Sequence, residues 1–285
     1  MSFERHLENN LFDLHYALKS GIYEHDGYQF FQVFDSKKRD IYKAEVKDRV
    51  VHQITYDYLC DIYEKVFISD SYSSRIGKGT INAINIFKYF SKLSDNNSYV
   101  LKCDIRKYFQ SVDQKILTTI LSDKIKDEKI MQIIEKIISS FEFGGIPLGN
   151  VTSQIFANIY LNELDRFVKK ELKIRFYIRY NDDFVIFDDR KEKLAKYLVL
   201  IREFLIEKLK LEIPENKSEI RHLKHGMEFL GYKIFPDHVL LREQTKAKIF
   251  NKISRININS KLAVLKHCNS YNLRQKLLSA SNFED

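Results

Sequence analysis

The chain has 285 residues and a mass of 33.9 kDa, with 44% hydrophobic and 30% charged residues, enough to bury a sizeable core and too apolar for a disordered polymer. No apolar run reaches the length of a bilayer span, and the start, MSFERHLENNLFDLH, is charged too early for a secretory signal. Three widely spaced cysteines, Cys60, Cys103 and Cys268, exclude a disulfide scaffold and a CxxC zinc module and point to a reducing cytosol, while Lys and Arg exceed Asp and Glu by 47 to 39.

Taken in chain order, residues 7–18 place Leu7, Leu11, Leu14 and Leu18 at helical spacing. Residues 28–33, aromatic and β-branched, and residues 40–44 flank the turn Asp35-Ser36-Lys37-Lys38-Arg39, which predicts a hairpin with a cationic tip. Helical patterns follow over 46–67 and 81–93, separated by a Ser- and Gly-rich segment, 69–80. Residues 99–103 form a short β-prone run ending at Asp104. Two apolar strands, 175–180 and 184–187, flank Asn181-Asp182-Asp183, a hairpin-turn signal. An amphipathic helix is expected over 193–209. Helices and strands alternate without βαβ rhythm and one hairpin is antiparallel, so the fold class is α+β, an antiparallel sheet with helices on one face.

Two features place acids where acids are costly. Asp104 closes the buried-looking strand YVLKC, and Asp182 and Asp183 sit between Tyr180 and Phe184 at an apolar hairpin. Each alone also reads as ordinary helix-cap or turn chemistry. Together, two aligned strands ending in three carboxylates make a negative site that needs a counter-cation. Oxygen ligands with room for water and phosphate suit Mg²⁺, and two such ions about 4 Å apart serve nucleotidyl transfer. The densest Gly/Pro cluster, residues 144–149, opens into a helix expected over 151–170, which Thr152 or Ser153 can cap. Gly149 would let a base or backbone approach closely. His222, His225 and His267 show no zinc spacing and read as surface or RNA-facing.

These segments resemble the motifs of reverse transcriptases. DIRKYFQSVD (104–113), GIPLGNVTSQIFANIYLNELD (145–165) and YNDD (180–183) are similar to motifs A, B and C, in that order. NKSEI (216–220) and FLGYKIF (229–235) resemble the two that follow. FQVFDSKKRDIYKAEVKDRVVHQ (31–53) and SRIGKGT (74–80) resemble the fingers motifs, so the likeness covers about residues 10–255. It implies a right-hand polymerase fold: an N-terminal helix and fingers over 1–98, a palm over 99–235 and a basic helical thumb over 236–285.

The resemblance also implies roles. Asp104, Asp182 and Asp183 are expected to hold two Mg²⁺ ions, for which Mn²⁺ can substitute, with Ile105 as a further metal contact. Lys217 is the candidate general acid for departing pyrophosphate. Arg39, with Lys37 or Lys38, is expected at the β- and γ-phosphates, because a guanidinium fork matches phosphate. The backbone from Arg106 through Lys107 to Tyr108 is expected at the triphosphate, Phe109 under the sugar as the wall that rejects a 2′-hydroxyl, and Gln154 at the nascent pair. Leu148, Gly149, Asn150, Ser153, Tyr180, Leu230, Gly231, Arg242 and Lys246 are expected along template and primer.

Most related bacterial enzymes carry QGxxxSP in motif B, whereas this chain has LGNVTSQ, the form that resembles reverse transcriptases of diversity-generating retroelements. That branch copies a template-repeat RNA into cDNA with errors opposite adenine and works with a small accessory protein, which implies a cytoplasmic bacterial or phage-encoded enzyme with template RNA, RNA/cDNA duplex and dNTPs as partners and no membrane. The NAxxH and VTG signatures of retron enzymes do not appear, and the sequence is read as leaving no room for a maturase region after the thumb. Lys38 stands where the family commonly has Pro. Nine basic residues against one acid, Glu243, fall between Arg242 and Lys276, which suits contact with a polyanion as well as a solvated helical face. Within that segment Ile249, Phe250, Ile253 and Ile256 recur at helical spacing, and a short thumb suggests that duplex grip depends on a partner or on the RNA. The rival readings are a phage-defence reverse transcriptase and an RNA-binding protein whose chemistry has lapsed.

Overall fold

The computed structural model describes residues 3–34, 38–93, 98–251 and 257–279. A 3₁₀ turn, Phe3–His6, leads into α1 (Leu7–Ser20), which Gly21 ends in the left-handed conformation. β1 (Tyr28–Phe34) and β2 (Lys38–Ala44) form an antiparallel hairpin with Tyr28 opposite Ala44. The tip expected to carry Lys37 lies outside the described residues. α2 (Val46–Tyr63) ends before the expected position 67, and α3 (Thr80–Leu93) follows the irregular 69–79 segment.

β3 (Tyr99–Asp104) is succeeded by the short α4 (Tyr108–Ser111), α5 (Gln114–Lys124) and α6 (Glu128–Ser139). Asp113 and Asp127 cap α5 and α6, each accepting two backbone N–H groups of the first turn. α7 (Val151–Arg166) runs into a π-helical turn, Phe167–Glu171, so the helix expected over 151–170 changes geometry near its end. β4 (Tyr177–Tyr180), β5 (Asp183–Asp188), α8 (Lys191–Leu209) and β6 (Ser218–His222) follow and complete the central sheet. A small sheet of β7 (Met227–Phe229), β8 (Tyr232–Ile234) and β9 (Val239–Leu241) precedes α9 (Glu243–Phe250), α10 (Ile258–Leu265) and α11 (Tyr271–Ser279).

The palm sheet has the order β4-β5-β3-β6 and is antiparallel throughout. Alternate residues of a strand face opposite sides, and here both sides are buried. Leu101, Cys103, Tyr177, Phe184 and Ile186 join a core with residues of α2, α5, α7 and α8. Val100, Ile178, Val185 and Phe187 join a second core with α3, the small sheet and the last three helices. The expectation of helices on one face is therefore corrected: the FVIF run is apolar without alternation because neither face meets water. Phe87 of α3 packs edge-on against Phe187 at 4.8 Å and lies 5.8 Å from Phe229, joining the sheet to the small one.

Two expected boundaries cut through packed units. α3, placed with the fingers by sequence, packs on β4 of the palm, and β9 hydrogen-bonds β8 across the 235/236 boundary. Ile249 is buried and Phe250 packs beside it, whereas Ile253 and Ile256 lie outside the described residues.

Candidate active site

Sheet register brings the carboxylates together. Asp104, last in β3, stands opposite Asp183, first in β5, and the Ile105 N–H donates to the Asp182 carbonyl at 3.2 Å. β6 pairs with the other edge of β3, with Cys103 opposite Ser218, so Lys217 arrives beside Asp104 and donates from Nζ to Oδ1 at 2.8 Å. Lys102 lies 3.6 Å from Asp183 Oδ2.

Burial raises the Asp183 carboxyl to about 7, with Lys102 opposing and the charges of Asp104 and Asp182 adding to it. Burial likewise raises Asp182, against hydrogen bonds from its own backbone and Asn181. Asp183 Oδ1 is buried with no hydrogen-bond partner. A desolvated oxygen without a donor, close enough to two more carboxylates to feel their charge, is chemistry that a hard cation satisfies. Among the described residues no group of three His, Cys, Asp or Glu side chains is arranged to hold a metal ion by itself. These carboxylates would supply only part of a cation's ligand shell, which fits a hard ion that keeps water and phosphate oxygens as ligands.

The motif A turn and the Gly/Pro loop lock together. A Cβ on Gly145, whose φ is +72°, would collide with the Phe109 carbonyl and the Gln110 backbone. That close approach lets the Ile146 N–H donate to Phe109 O at 2.8 Å, and Gln114 Nε2 donates to Gly145 O at 2.9 Å. Phe109 is thereby fixed half-buried against the core and edge-on to Tyr108. Tyr108 is itself buried and donates its hydroxyl to Ala157 O at 2.6 Å, so only its backbone could meet a nucleotide. The Arg106 N–H, expected at the triphosphate, donates to Glu212 O at 2.9 Å instead. Lys107, left-handed at φ +44°, leaves its side chain exposed.

The same loop clasps the hairpin. Tyr42 N–H donates to Leu148 O at 2.8 Å, Asn150 Nδ2 donates to Tyr42 O at 2.8 Å, and Ala44 N–H donates to Asn150 Oδ1 at 3.0 Å. Asn150 is therefore a buried brace on β2 and not an exposed template contact. Ser153 is buried, and Thr152 meets His52 Nδ1 at 2.7 Å, so neither caps α7 as expected. Leu148 is half-buried and Gly149 and Gln154 are exposed along one edge of the site. Lys38 and Arg39 are exposed on β2 beyond that clasp.

Tyr180 accepts from Thr80 Oγ1 at 3.1 Å, tying the SRIGKGT segment to the YNDD turn. Leu230 and Gly231 form the β7–β8 turn, and Gly231 O accepts from the Arg242 N–H and Thr245 Oγ1, which seats α9. Arg242 pairs with Glu228 at 2.9 Å and Lys246 with Glu243, so two expected duplex contacts carry partly neutralised charge. His222 packs edge-on against Tyr99 at 4.9 Å. Sequence reasoning missed Arg179 and Asp165, a fully buried ion pair behind the turn; a lone arginine in the apolar strand YIRY was the available signal.

An antiparallel sheet whose strand ends bring three carboxylates together defines the class of fold, and the family follows. The chain belongs to the reverse transcriptase (RNA-dependent DNA polymerase) family, whose profile matches residues 32–234. It is 24% identical to the group II intron-encoded protein LtrA of Lactococcus lactis subsp. cremoris, over 76% of this chain and 47% of that one. Protein YkfC of Escherichia coli K12 is 26% identical over 70% of this chain and 64% of its own. The chain thus spans about half to two thirds of these relatives. Apo telomerase from Candida tropicalis shares the fold with a TM-score of 0.59 at 14% identity, covering 86% of this chain and 52% of that one. Telomerase from Candida albicans, in complex with a TWJ fragment of telomeric RNA, gives 0.58 at 10% identity over 93% and 58%. With family and structural likeness agreeing, the chain has the right-hand polymerase fold. The described residues include no helix long and apolar enough to cross a membrane.

Proposed function

We propose that the chain is an RNA-directed DNA polymerase that extends a primer on an RNA template by two-metal-ion nucleotidyl transfer. The observation that carries this is the register of Asp104 opposite Asp183, with Asp182 adjoining and Asp183 Oδ1 buried without a hydrogen-bond partner. Mg²⁺, or Mn²⁺ in its place, supplies the charge that activates a 3′-hydroxyl and stabilises a leaving oxygen. Asp104, Asp182 and Asp183 would hold it, with the Ile105 backbone alongside. Arg39, with Lys38 or Lys37, binds the β- and γ-phosphates, and Phe109 walls off a 2′-hydroxyl. Lys217, already hydrogen-bonded to Asp104, is placed to give a proton to departing pyrophosphate. Leu148, Gly149 and Gln154 line the edge that meets template and nascent pair. Leu230, Gly231, Arg242 and Lys246 face the product duplex, through contacts that are salt-dependent and blind to sequence.

Within that class we assign the chain to the diversity-generating branch, acting in the cytoplasm on a template-repeat RNA with a small accessory protein. LGNVTSQ at residues 148–154 supports this finer reading. The similarity to LtrA favours a second, broader one, a group II intron-like enzyme of another branch. Primed synthesis on an RNA template with Mg²⁺, comparing wild type with Asp182→Ala, tests the activity. Template-dependent cDNA from dNTPs, abolished by the substitution, is the expected result; no product from wild type with cognate RNA and neighbouring-gene protein added would refute it.

A further inference from the structure

Beneath the YNDD turn lies an arginine with no exposed surface. Arg179 Nε and Nη2 donate to the two oxygens of Asp165 on α7, at 2.8 and 2.6 Å. Nη1 donates to Asn158 Oδ1 and to the backbone carbonyl of Asn181, each at 3.2 Å. Asn181, in turn, donates from Nδ2 to Asp182 Oδ1 at 3.0 Å. Hydrogen bonds therefore link α7 through one guanidinium to the backbone of Asn181, whose side chain bonds a candidate metal-binding carboxylate.

The surroundings leave the arginine one place to be. Its own N–H donates to Asp70 O and its carbonyl accepts from the Tyr72 N–H, each at 2.9 Å. Asn158 Nδ2 donates to Ser73 O at 2.8 Å, and the Tyr177 hydroxyl donates to Asp165 Oδ1 at 2.8 Å. Both charged side chains are fully buried. Stability alone does not account for such a pair, because apolar replacements of buried ion pairs are often as stable or more so. What a guanidinium adds is direction: a planar fork fixed on a carboxylate aims its remaining donors. Here the aimed group is Asn181, a non-glycine residue at φ +56°, a backbone conformation that persists where its surroundings over-determine it.

We infer that Arg179 is a positioning residue, which, held by Asp165 and Asn158, fixes the Asn181 carbonyl and so sets Asp182 and Asp183 for metal binding. The inference rests on the polymerase reading and deepens it. A lysine at 179 can pair with Asp165 but cannot reach Asn158 and Asn181 at the same time.

Two variants and two readouts test it. Mn²⁺ binding is followed by electron paramagnetic resonance without turnover, and primer extension is measured against Mg²⁺ concentration. Arg179→Lys is expected to stay folded, weaken Mn²⁺ binding about tenfold, and raise the half-maximal Mg²⁺ concentration by a similar factor. The pair Arg179→Met with Asp165→Asn removes both charges and keeps an acceptor for Tyr177; it is expected to melt near wild type yet show the same weakened metal binding. Wild-type metal dependence in the double variant would assign the pair to stability alone and overturn the inference. If the double variant does not fold, Arg179→Lys decides alone: weakened binding supports positioning and wild-type binding overturns it. A wild-type protein that binds Mn²⁺ but extends no primer would instead count against the polymerase reading and leave the positioning role standing.

Discussion

Asp183 sits where an ionised carboxylate is unfavourable, and the residues around it explain why the position was nonetheless readable. YVLKCD and YNDD announce acids at the ends of apolar strands, and the β3–β5 register needs no more than strand alternation to bring them together. Lys217 was suggested only by the resemblance of NKSEI to a polymerase motif; the strand beside β3 that delivers it to Asp104 was not visible in the sequence. Arg179 was not, because its partners Asp165 and Asn158 lie 14 and 21 residues away on a helix whose packing no local pattern reveals. Leu148 carries the residue-scale prediction. It replaces the glutamine usual in the resembling enzymes and stands half-buried at the edge of the site, its carbonyl bonded to Tyr42. Loss of one polar contact against a wrong base is worth about 1–3 kcal/mol of discrimination. On the diversity-generating reading proposed above, Leu148→Gln is expected to lower misincorporation opposite adenine by about tenfold, read by sequencing cDNA; an unchanged error rate would overturn a role for Leu148 in fidelity.

At the scale of elements, the feature that organises the site is the clasp between the β1–β2 hairpin and the 144–150 loop. Both pieces were visible in the sequence, the hairpin from its aromatic and β-branched run beside a polar turn and the loop from its glycines. Their union was not, because Asn150 bonds Tyr42 and Ala44 across more than a hundred residues. The clasp depends on Gly149, whose φ of +119° is open to glycine, and whose added Cβ would stand 2.8 Å from Ile41 Cγ2 and 3.3 Å from Tyr42 O. Gly149→Ala should strain the backbone by about 1–3 kcal/mol and push β2, with Arg39, away from the site. The expected outcome is a KM for dNTP raised about tenfold, with the melting temperature lowered by only a few degrees. Adding Ile41→Ala removes the side-chain collision and should recover part of the dNTP affinity. Full activity in Gly149→Ala alone would show that the hairpin does not need this approach.

Across the whole molecule, the N-terminal segment, α2 and α7 meet in one buried polar chain that composition could not foretell. Tyr23 donates to Asp48 Oδ1 at 2.8 Å, the Asp26 N–H donates to Asp48 Oδ2 at 3.0 Å, and His25 Nδ1 lies 3.7 Å from that same oxygen. His25 Nε2 and His52 Nε2 stand 3.0 Å apart, and His52 Nδ1 meets Thr152. One ring must donate and the other accept, so the native state cannot protonate both facing nitrogens. Burial, helped by the neighbouring His25, pushes His52 down to about 3. Burial lowers His25 as well, with Lys47 adding and Asp48 and Asp26 opposing, while burial raises Asp48. The sign follows: below about 6.5 the unfolded chain binds a proton at position 52 that the native chain refuses, so this contribution is whole above that pH and shrinks as pH falls toward 3. Asp48 acts with the opposite sign, which makes a variant comparison the cleaner measurement. His52→Gln keeps an amide that can bond Thr152 but does not titrate. Denaturant unfolding at pH 7 and pH 5 should show wild type losing about 2 kcal/mol more than this variant over that interval. Parallel losses would mean that His52 gains its proton without opening the junction, and that the contact between α2 and the start of α7 tolerates a charge the geometry says it should reject.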